Sequence, residues 1–220
     1  MITLLVMSDG RKDCIAKTIP TALKNLNGPI SVRIIHDDSG DPDYGDWLWD
    51  TFGPKGFVVH STPGRSGFAG AIRSAWAWLR EHDLNDYIVH LEDDFLIDPI
   101  WLGDMAKCLD HHPELTQLAL LRQPWNADEK AAGGIIEQHP DDYTERYFGP
   151  HMYREHRRFW TTNPSMYRRS LITEHDWPHG GNSEGNFGIE LFNDPDLVAG
   201  YWGDGVNCEH IGHSRIGTGY

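Results

Sequence analysis

The sequence predicts an α/β protein: a mostly parallel sheet with helices on both faces and a loop-rich second half. Three observations carry that expectation. Short apolar runs rich in β-branched residues alternate with segments whose apolar residues recur at helical spacing, the pattern of strands joined by crossover helices. Two of those runs end abruptly in carboxylates, and in open parallel sheets ligands collect beyond the carboxyl ends of the strands. The second half of the chain is less regular and rich in Gly, Pro, Trp and His, the composition of loops shaped around a substrate. At 220 residues, with no repeat or linker, the chain is expected to form one domain, 1–220, with halves 1–97 and 98–220.

The elements follow in order. Residues 2–7 form a short apolar run with β-branched members, the first strand. Ile15, Ile19, Leu23 and Leu26 recur at helical spacing, and Pro20 is expected to kink or shorten that helix. Residues 31–36 and 57–60 read as the second and third strands. Over residues 66–80, Phe68, Ala71, Ile72, Ala75, Trp76 and Leu79 share one helical face. Residues 87–91 form a buried strand. Asp98 then caps a helix with Pro99 in its first turn, running to about His111, and residues 117–121 form a further strand.

Composition narrows the function. Hydrophobic residues at 39% and charged residues at 24% belong to a globular protein, not a disordered one. No apolar stretch has the length of a membrane span, so no membrane partner is expected. Cys14, Cys108 and Cys208 are too widely separated for a disulfide framework or a paired-cysteine zinc site, and a reducing cytoplasm is the expected location. A net charge of −14 argues against a general nucleic-acid coat. The charge is uneven, however: residues 143–169 carry six arginines and two glutamates, a net +4, leaving −18 elsewhere. An all-arginine segment suggests binding to phosphates or pairing with acidic neighbours.

The most informative segment is Tyr87-Ile-Val-His-Leu-Glu-Asp-Asp-Phe95. Three consecutive carboxylates, Glu92, Asp93 and Asp94, repel one another at the end of an apolar strand unless a cation or solvent relieves them. A hard divalent ion, Mn2+ or Mg2+, shared with substrate phosphates suits such a cluster; a solvated acidic turn is the alternative. A second strand runs into Asp37 and Asp38, which either terminate it as an Asx-rich turn or accept hydrogen bonds from a nucleobase or ribose.

These two strand ends, in this order and separation, resemble the GT-A glycosyltransferases, closest to the large family-2-type group and its compact phage-type members. Leu5-Val-Met-Ser-Asp-Gly-Arg11 stands where that group's first strand opens the nucleotide site, which implies donor contacts from Ser8, Asp9 and Arg11. Asp37-Asp38-Ser39 resembles the uracil-binding Asp-Asp-x-Ser element, with the serine one position early. Gly64-Arg-Ser-Gly-Phe-Ala-Gly-Ala71 is similar to the family's Gly-x-Ala helix start, which places Gly67, Ala71 and Arg73 near the nucleotide. Glu92-Asp93-Asp94 takes the place of the metal-binding DXD motif, with Glu92 and Asp94 as ligands and Asp93 on the donor side. The resemblance covers residues 2–97 well and the remainder more loosely. It implies a nucleotide-sugar donor, a UDP-sugar first, bound by residues 1–97, with acceptor and catalysis in 98–220.

In the second half, Glu184 follows a Gly-Gly-Asn-Ser loop at an expected helix start, with large apolar Phe187 three residues on. The resemblance implies a general base there, with Glu190 as second choice; charge at a helix N-terminus is the simpler explanation. A well-placed base implies direct displacement and inversion at the anomeric carbon. Near the C-terminus the resemblance implies a late histidine on the metal, His210 before His213, and a cation, Arg215, on the diphosphate. Residues 154–169 combine cations with aromatic residues, and Thr161-Thr-Asn-Pro-Ser165 resembles a family loop beside donor sugar and acceptor, so Arg157, Arg158, Trp160 and Asn163 are expected on the acceptor; a solvated arginine face with Trp160 and Tyr167 in the core is the alternative. A polyanionic acceptor is reasonable on that ground, for example a hydroxymethylated base in phage DNA, otherwise a protein or glycan. A monomer or small homo-oligomer is expected. Two rival functions remain: a two-metal phosphoesterase using His36, Asp38, His90, Glu92, Asp94 and His210, and a non-catalytic sugar- or nucleic-acid-binding module.

Overall fold

β1 (Ile2–Ser8) is buried along its whole length, and its side chains alternate between two hydrophobic cores. Leu4 and Val6 enter one core, Leu5 and Met7 the other, so the strand is covered on both faces. The computed structural model describes residues 1–82 and 85–212. Further along the chain lie α1 (Lys12–Asn25), β2 (Leu26–Asn27), β3 (Ile30–Asp37), α2 (Pro42–Phe52), β4 (Val58–Ser61), α3 (Gly67–His82) and β5 (Tyr87–Glu92). β6 (Phe95–Ile97), β7 (Ile100–Trp101), α4 (Leu102–His111), β8 (Leu115–Leu120), α5 (Ala127–Ala132) and α6 (Ile135–Gln138) follow. The last elements are β9 (Thr144–Phe148), β10 (His151–His156), β11 (Ser165–Arg168), α7 (Arg169–Glu174), α8 (Ser183–Leu191), β12 (Val198–Trp202) and β13 (Cys208–His210).

Nine strands form one sheet in the order β4-β3-β1-β5-β11-β8-β12-β10-β9, with strands from both halves of the chain. Only β11 and β10 run against the rest, so the sheet is mostly parallel, as expected. On one face, α1, α2 and α4 pack Ile15, Ile19, Leu48, Met105 and Leu109 against Leu4, Val6, Ile35 and Val89. On the other, α3, α7 and α8 bring Ile72, Trp76, Leu79, Ile172, Phe187 and Leu191 onto Leu5, Ile34, Ile88 and Tyr167.

Several local expectations are corrected. α1 continues through Pro20 rather than stopping there. The helix expected to open at Asp98 begins at Leu102 instead, because Ile100–Trp101 is drawn out as β7 to pair in parallel with Leu26 and Asn27. α2 was not foreseen, although Asp41 caps it by accepting from the Asp43 N–H at 3.0 Å and Pro42 opens it.

What matters for function is the row of parallel strand ends. Ser8 pairs with Asp37, and Met7 with Glu92, so β1, β3 and β5 terminate side by side. Their following residues, Asp9, Asp38 and Asp93, meet at one edge of the sheet.

Candidate active site

A cleft of about 1120 Å³ opens beyond these strand ends. Its walls include Ser8, Asp9, Arg11 and Asp38, the start of α3 from Ser66 to Arg73, and Glu92 and Asp93. Thr162, Asn163, residues 179–184 and His210 line it as well. Of the residues expected to contact donor or metal, Ser8, Asp9, Arg11, Asp38, Gly67, Ala71, Arg73, Asp93, Glu92 and His210 line this space, as does Glu184.

Each member of the acidic triplet has a different environment. Asp93 is fully buried: Oδ2 accepts from Ser8 Oγ at 2.8 Å and Oδ1 from Arg11, while its backbone carbonyl accepts from Thr18 Oγ1 at 2.7 Å. Burial pushes its carboxyl up to about 7, with Arg11 opposing and Asp94 adding to the rise. Glu92 is pushed up to about 8, first by burial and then by the charges of Asp94 and Glu184. For Asp94 burial also acts upward, but His210 and Arg11 outweigh it and hold the group below the usual carboxylate range. Asp94 Oδ2 receives His210 Nε2 at 3.0 Å and Arg11. Among the described residues, no group hydrogen-bonds its buried Oδ1.

His210 is held firmly for this contact. Its ring stacks on Phe95 with centroids 4.7 Å apart and meets Trp125 on another side at 4.1 Å. Its backbone N–H and carbonyl both bond the Gln123 amide, at 2.9 Å each. β13 delivers it by pairing antiparallel with β6, which puts His210 opposite Phe95.

Glu184 lies in the first turn of α8, where a carboxylate is favoured. Its Oε1 accepts from the Thr162 N–H at 2.6 Å and from Thr162 Oγ1 at 3.0 Å. The same hydroxyl lies 3.1 Å from Glu92 Oε1, so a single threonine joins the expected base to the acidic triplet. Thr162 is not among the expected site residues, although it sits beside Asn163, which is.

The fold family implies a divalent ion, and the donor chemistry here fits one. Hard carboxylate oxygens and an imidazole face one another at Asp94 and His210, and one buried carboxylate oxygen has no hydrogen-bond partner among the described residues. Among the described residues no three His, Cys, Asp or Glu side chains form a ready cage. Such an ion is usually completed by substrate phosphates.

Other expected site residues are placed differently. Asp37 turns inward, with Oδ1 accepting from the Ser39 N–H at 2.9 Å, and it is almost fully buried. Asp38 is already saturated: it accepts from the Ser66 and Gly67 N–H groups, at 2.9 Å each to Oδ2, and from the Ser66 and Thr62 hydroxyls. It anchors the start of α3, where Gly67 has φ +72°, rather than standing free for a base. Glu190 is exposed on α8 and does not line the cleft. Trp160 is 1% exposed, packed between Trp76, Trp177 and Phe187, so its ring is core and cannot stack on an acceptor. Arg157 donates to the backbone carbonyls of Phe192, Asp194, Pro195 and Leu197, and Arg158 pairs with Asp142. Those two guanidiniums are taken up by partners within this chain. Arg73 faces the cleft but bonds His179, and Asn163 lines the cleft as expected. His213 and Arg215 lie outside the described residues.

The phosphoesterase arrangement does not assemble. His36 is buried against His60, with Nδ1 atoms 2.9 Å apart, and burial drops it to about 4. His90 Nδ1 lies 3.3 Å from the buried Tyr167 hydroxyl.

No protein-family model matches the chain, and no curated protein matches it in sequence. Solved structures do. TarS of S. aureus (1–349) in complex with UDP-GlcNAc aligns with a TM-score of 0.66 at 13% identity, over 97% of this chain and 59% of that one. The mannosyltransferase PcManGT from Pyrobaculum calidifontis, in complex with GDP-Man and Mn2+, aligns with a TM-score of 0.65 at 14% identity, over 98% and 58%. The fold is therefore that of the GT-A glycosyltransferases. The chain spans about three fifths of the length of these two structures.

Proposed function

We propose that this protein is a metal-dependent glycosyltransferase that moves a sugar from a nucleotide diphosphate donor, UDP-linked in the first instance, to an acceptor hydroxyl with inversion. The observation that carries this is one cleft in which the ends of β1, β3 and β5 bring Ser8, Asp38, Glu92 and Asp93 together with Glu184, while buried Asp94 contacts His210 of the same lining. The GT-A fold supports it, as do the nucleotide-sugars bound in both similar structures.

Asp94 and His210 would hold the ion, with Glu92 beside them; when bound it supplies Lewis-acid neutralisation of the departing diphosphate. Ser8, Arg11 and Asp93 fix the geometry of the donor side. Asp38 shapes the nucleoside side indirectly, by holding the Ser66–Gly67 backbone at the head of α3. Glu184, oriented by Thr162, takes the proton as the acceptor oxygen bonds the anomeric carbon and the sugar–phosphate bond breaks. The proton ends on Glu184 and the electron pair leaves with the nucleoside diphosphate.

The acceptor is proposed as a hydroxyl on a protein, a glycan or a modified DNA base. Arg157 and Arg158, which suggested DNA, are committed to internal partners, so among the described residues Arg65 and Arg73 at the cleft are proposed as the source of any salt-sensitive DNA binding.

The test is a panel of UDP-, GDP- and CMP-sugars with and without Mn2+, read by thermal shift and by nucleotide release. One nucleotide class should stabilise the protein in a metal-dependent way. The Glu184→Gln variant should keep that shift and lose roughly 10²–10⁴-fold in turnover. Metal-independent stabilisation, or full turnover in the variant, overturns the respective part of the proposal.

A further inference from the structure

The acidic triplet already holds a cation. Arg11 precedes α1, where the chain turns back through Gly10 at φ +104°. All three nitrogens of its guanidinium face carboxylates: Nε donates to Asp9 Oδ1 at 3.1 Å, and the two terminal nitrogens to Asp93 Oδ1 and Asp94 Oδ2. The side chains of Asp93 and Asp94 are 1% and 4% exposed, so this contact lies in a low-dielectric place where charge counts most. The end of the described chain closes over it: the Ile211 N–H bonds the Asp94 carbonyl at 2.8 Å. A Cβ at Gly212 would overlap Asp94 Oδ2 and stand 3.0 Å from the Arg11 guanidinium.

A guanidinium and a divalent ion cannot both hold Asp94 at close range without repelling each other. We propose that Arg11 is a tethered competitor of the metal: it occupies Asp93 and Asp94 in the donor-free protein, and yields when a nucleoside diphosphate offers it phosphate oxygens instead. Metal and donor then bind cooperatively, since whatever draws Arg11 away from Asp94 tightens the metal, and by linkage the metal tightens the donor. This rests on the metal-dependent reading above. Its consequence is specific: the donor-free protein holds Mn2+ poorly, although it carries the ligands.

The experiment is a Mn2+ titration of the donor-free protein, followed by the electron paramagnetic resonance signal of free Mn2+, on wild type, Arg11→Gln and Arg11→Lys. Circular dichroism confirms that each variant is folded. Arg11→Gln should bind Mn2+ at least about tenfold more tightly than wild type, since the opposing charge is gone. Arg11→Lys keeps the charge but not the fork that spans two carboxylates, and should fall between them. Adding UDP should tighten Mn2+ in wild type by a larger factor than in Arg11→Gln. An ordinary structural ion pair predicts the opposite, a variant that binds Mn2+ equally or less well, and that result overturns the inference while leaving UDP–Mn2+ binding intact. If no protein binds Mn2+ with or without UDP, the metal-dependent reading falls and the inference with it.

Discussion

Replacing His156 with Phe tests whether the far half of the sheet is as dry as the structure shows. His156 ends β10 at 3% exposure, enclosed by the rings of Tyr143, Phe159 and Tyr201, each with its centroid 5.1 to 5.2 Å away. Among the described residues neither ring nitrogen has a hydrogen-bond partner. Burial, with the nearby Arg158 cation adding to it, lowers the group from 6.5 to about 4. The unfolded chain therefore takes up a proton between those values while the folded one does not, and stability is lost as the pH falls through that window. From about pH 7.5 to about pH 5.5 this one imidazole costs roughly 1.4 kcal/mol. Other groups also titrate: burial raises Glu92 and Asp93, and they gain stability over part of the same range. The informative quantity is the difference between wild type and His156→Phe, in which their contributions cancel. Urea unfolding followed by tryptophan fluorescence gives both free energies, and the chain has nine tryptophans to report. At about pH 7.5 the variant should match wild type or exceed it by about 1 kcal/mol, because no hydrogen bond is lost. At about pH 5.5 its advantage should widen by roughly 1.4 kcal/mol. Parallel pH dependences in the two proteins would refute the claim that this histidine is buried and neutral.

Two further substitutions separate structural from functional roles. Trp160→Ala should destabilise the fold by about 3–5 kcal/mol in the same urea assay, the cost of emptying a large aromatic site in the core; a loss of acceptor affinity at unchanged stability would return this ring to the acceptor side. Asp38→Asn should weaken the anchor of the Ser66–Gly67 turn by about 1–3 kcal/mol and raise the KM for donor, since an amide cannot accept from all the donors now converging on the carboxylate. Faster amide exchange at Ser66 and Gly67 checks the cause, and unchanged exchange contradicts it.

The parts of this protein legible in the sequence are those set by local pattern. The strands ending at Ser8, Asp37 and Glu92, the α3 helix and the helix start at Glu184 all follow from apolar periodicity and punctuation, so the carboxyl-end location of the cleft was within reach. α2 was legible too, through Asp41-Pro42, but the preceding acidic residues drew attention as a turn. What could not be read is pairing at a distance. Arg11 meets Asp93 and Asp94 across more than eighty positions, and Thr162 reaches Glu92 across seventy. No local period encodes such contacts; the sheet order does. The same holds for the arginine segment. Its composition suggested a phosphate surface, whereas the structure spends Arg157 and Arg168 on backbone carbonyls and Arg146 and Arg158 on nearby carboxylates. For Trp160 the core alternative holds: four other rings enclose it, brought there by elements distant in sequence.

Asp94 is where the proposed chemistry concentrates, because it alone of the triplet is held below the usual carboxylate range, faces His210 and, among the described residues, keeps a buried oxygen without a hydrogen-bond partner. Calorimetric titration of UDP into wild type and Asp94→Asn, each in Mn2+ and each in chelator, tests that assignment most directly. Wild type should bind UDP at least about tenfold more tightly with Mn2+ than without, and the variant should lose that gain while staying folded. Equal affinity in all four titrations would contradict a metal-bridged diphosphate at this site.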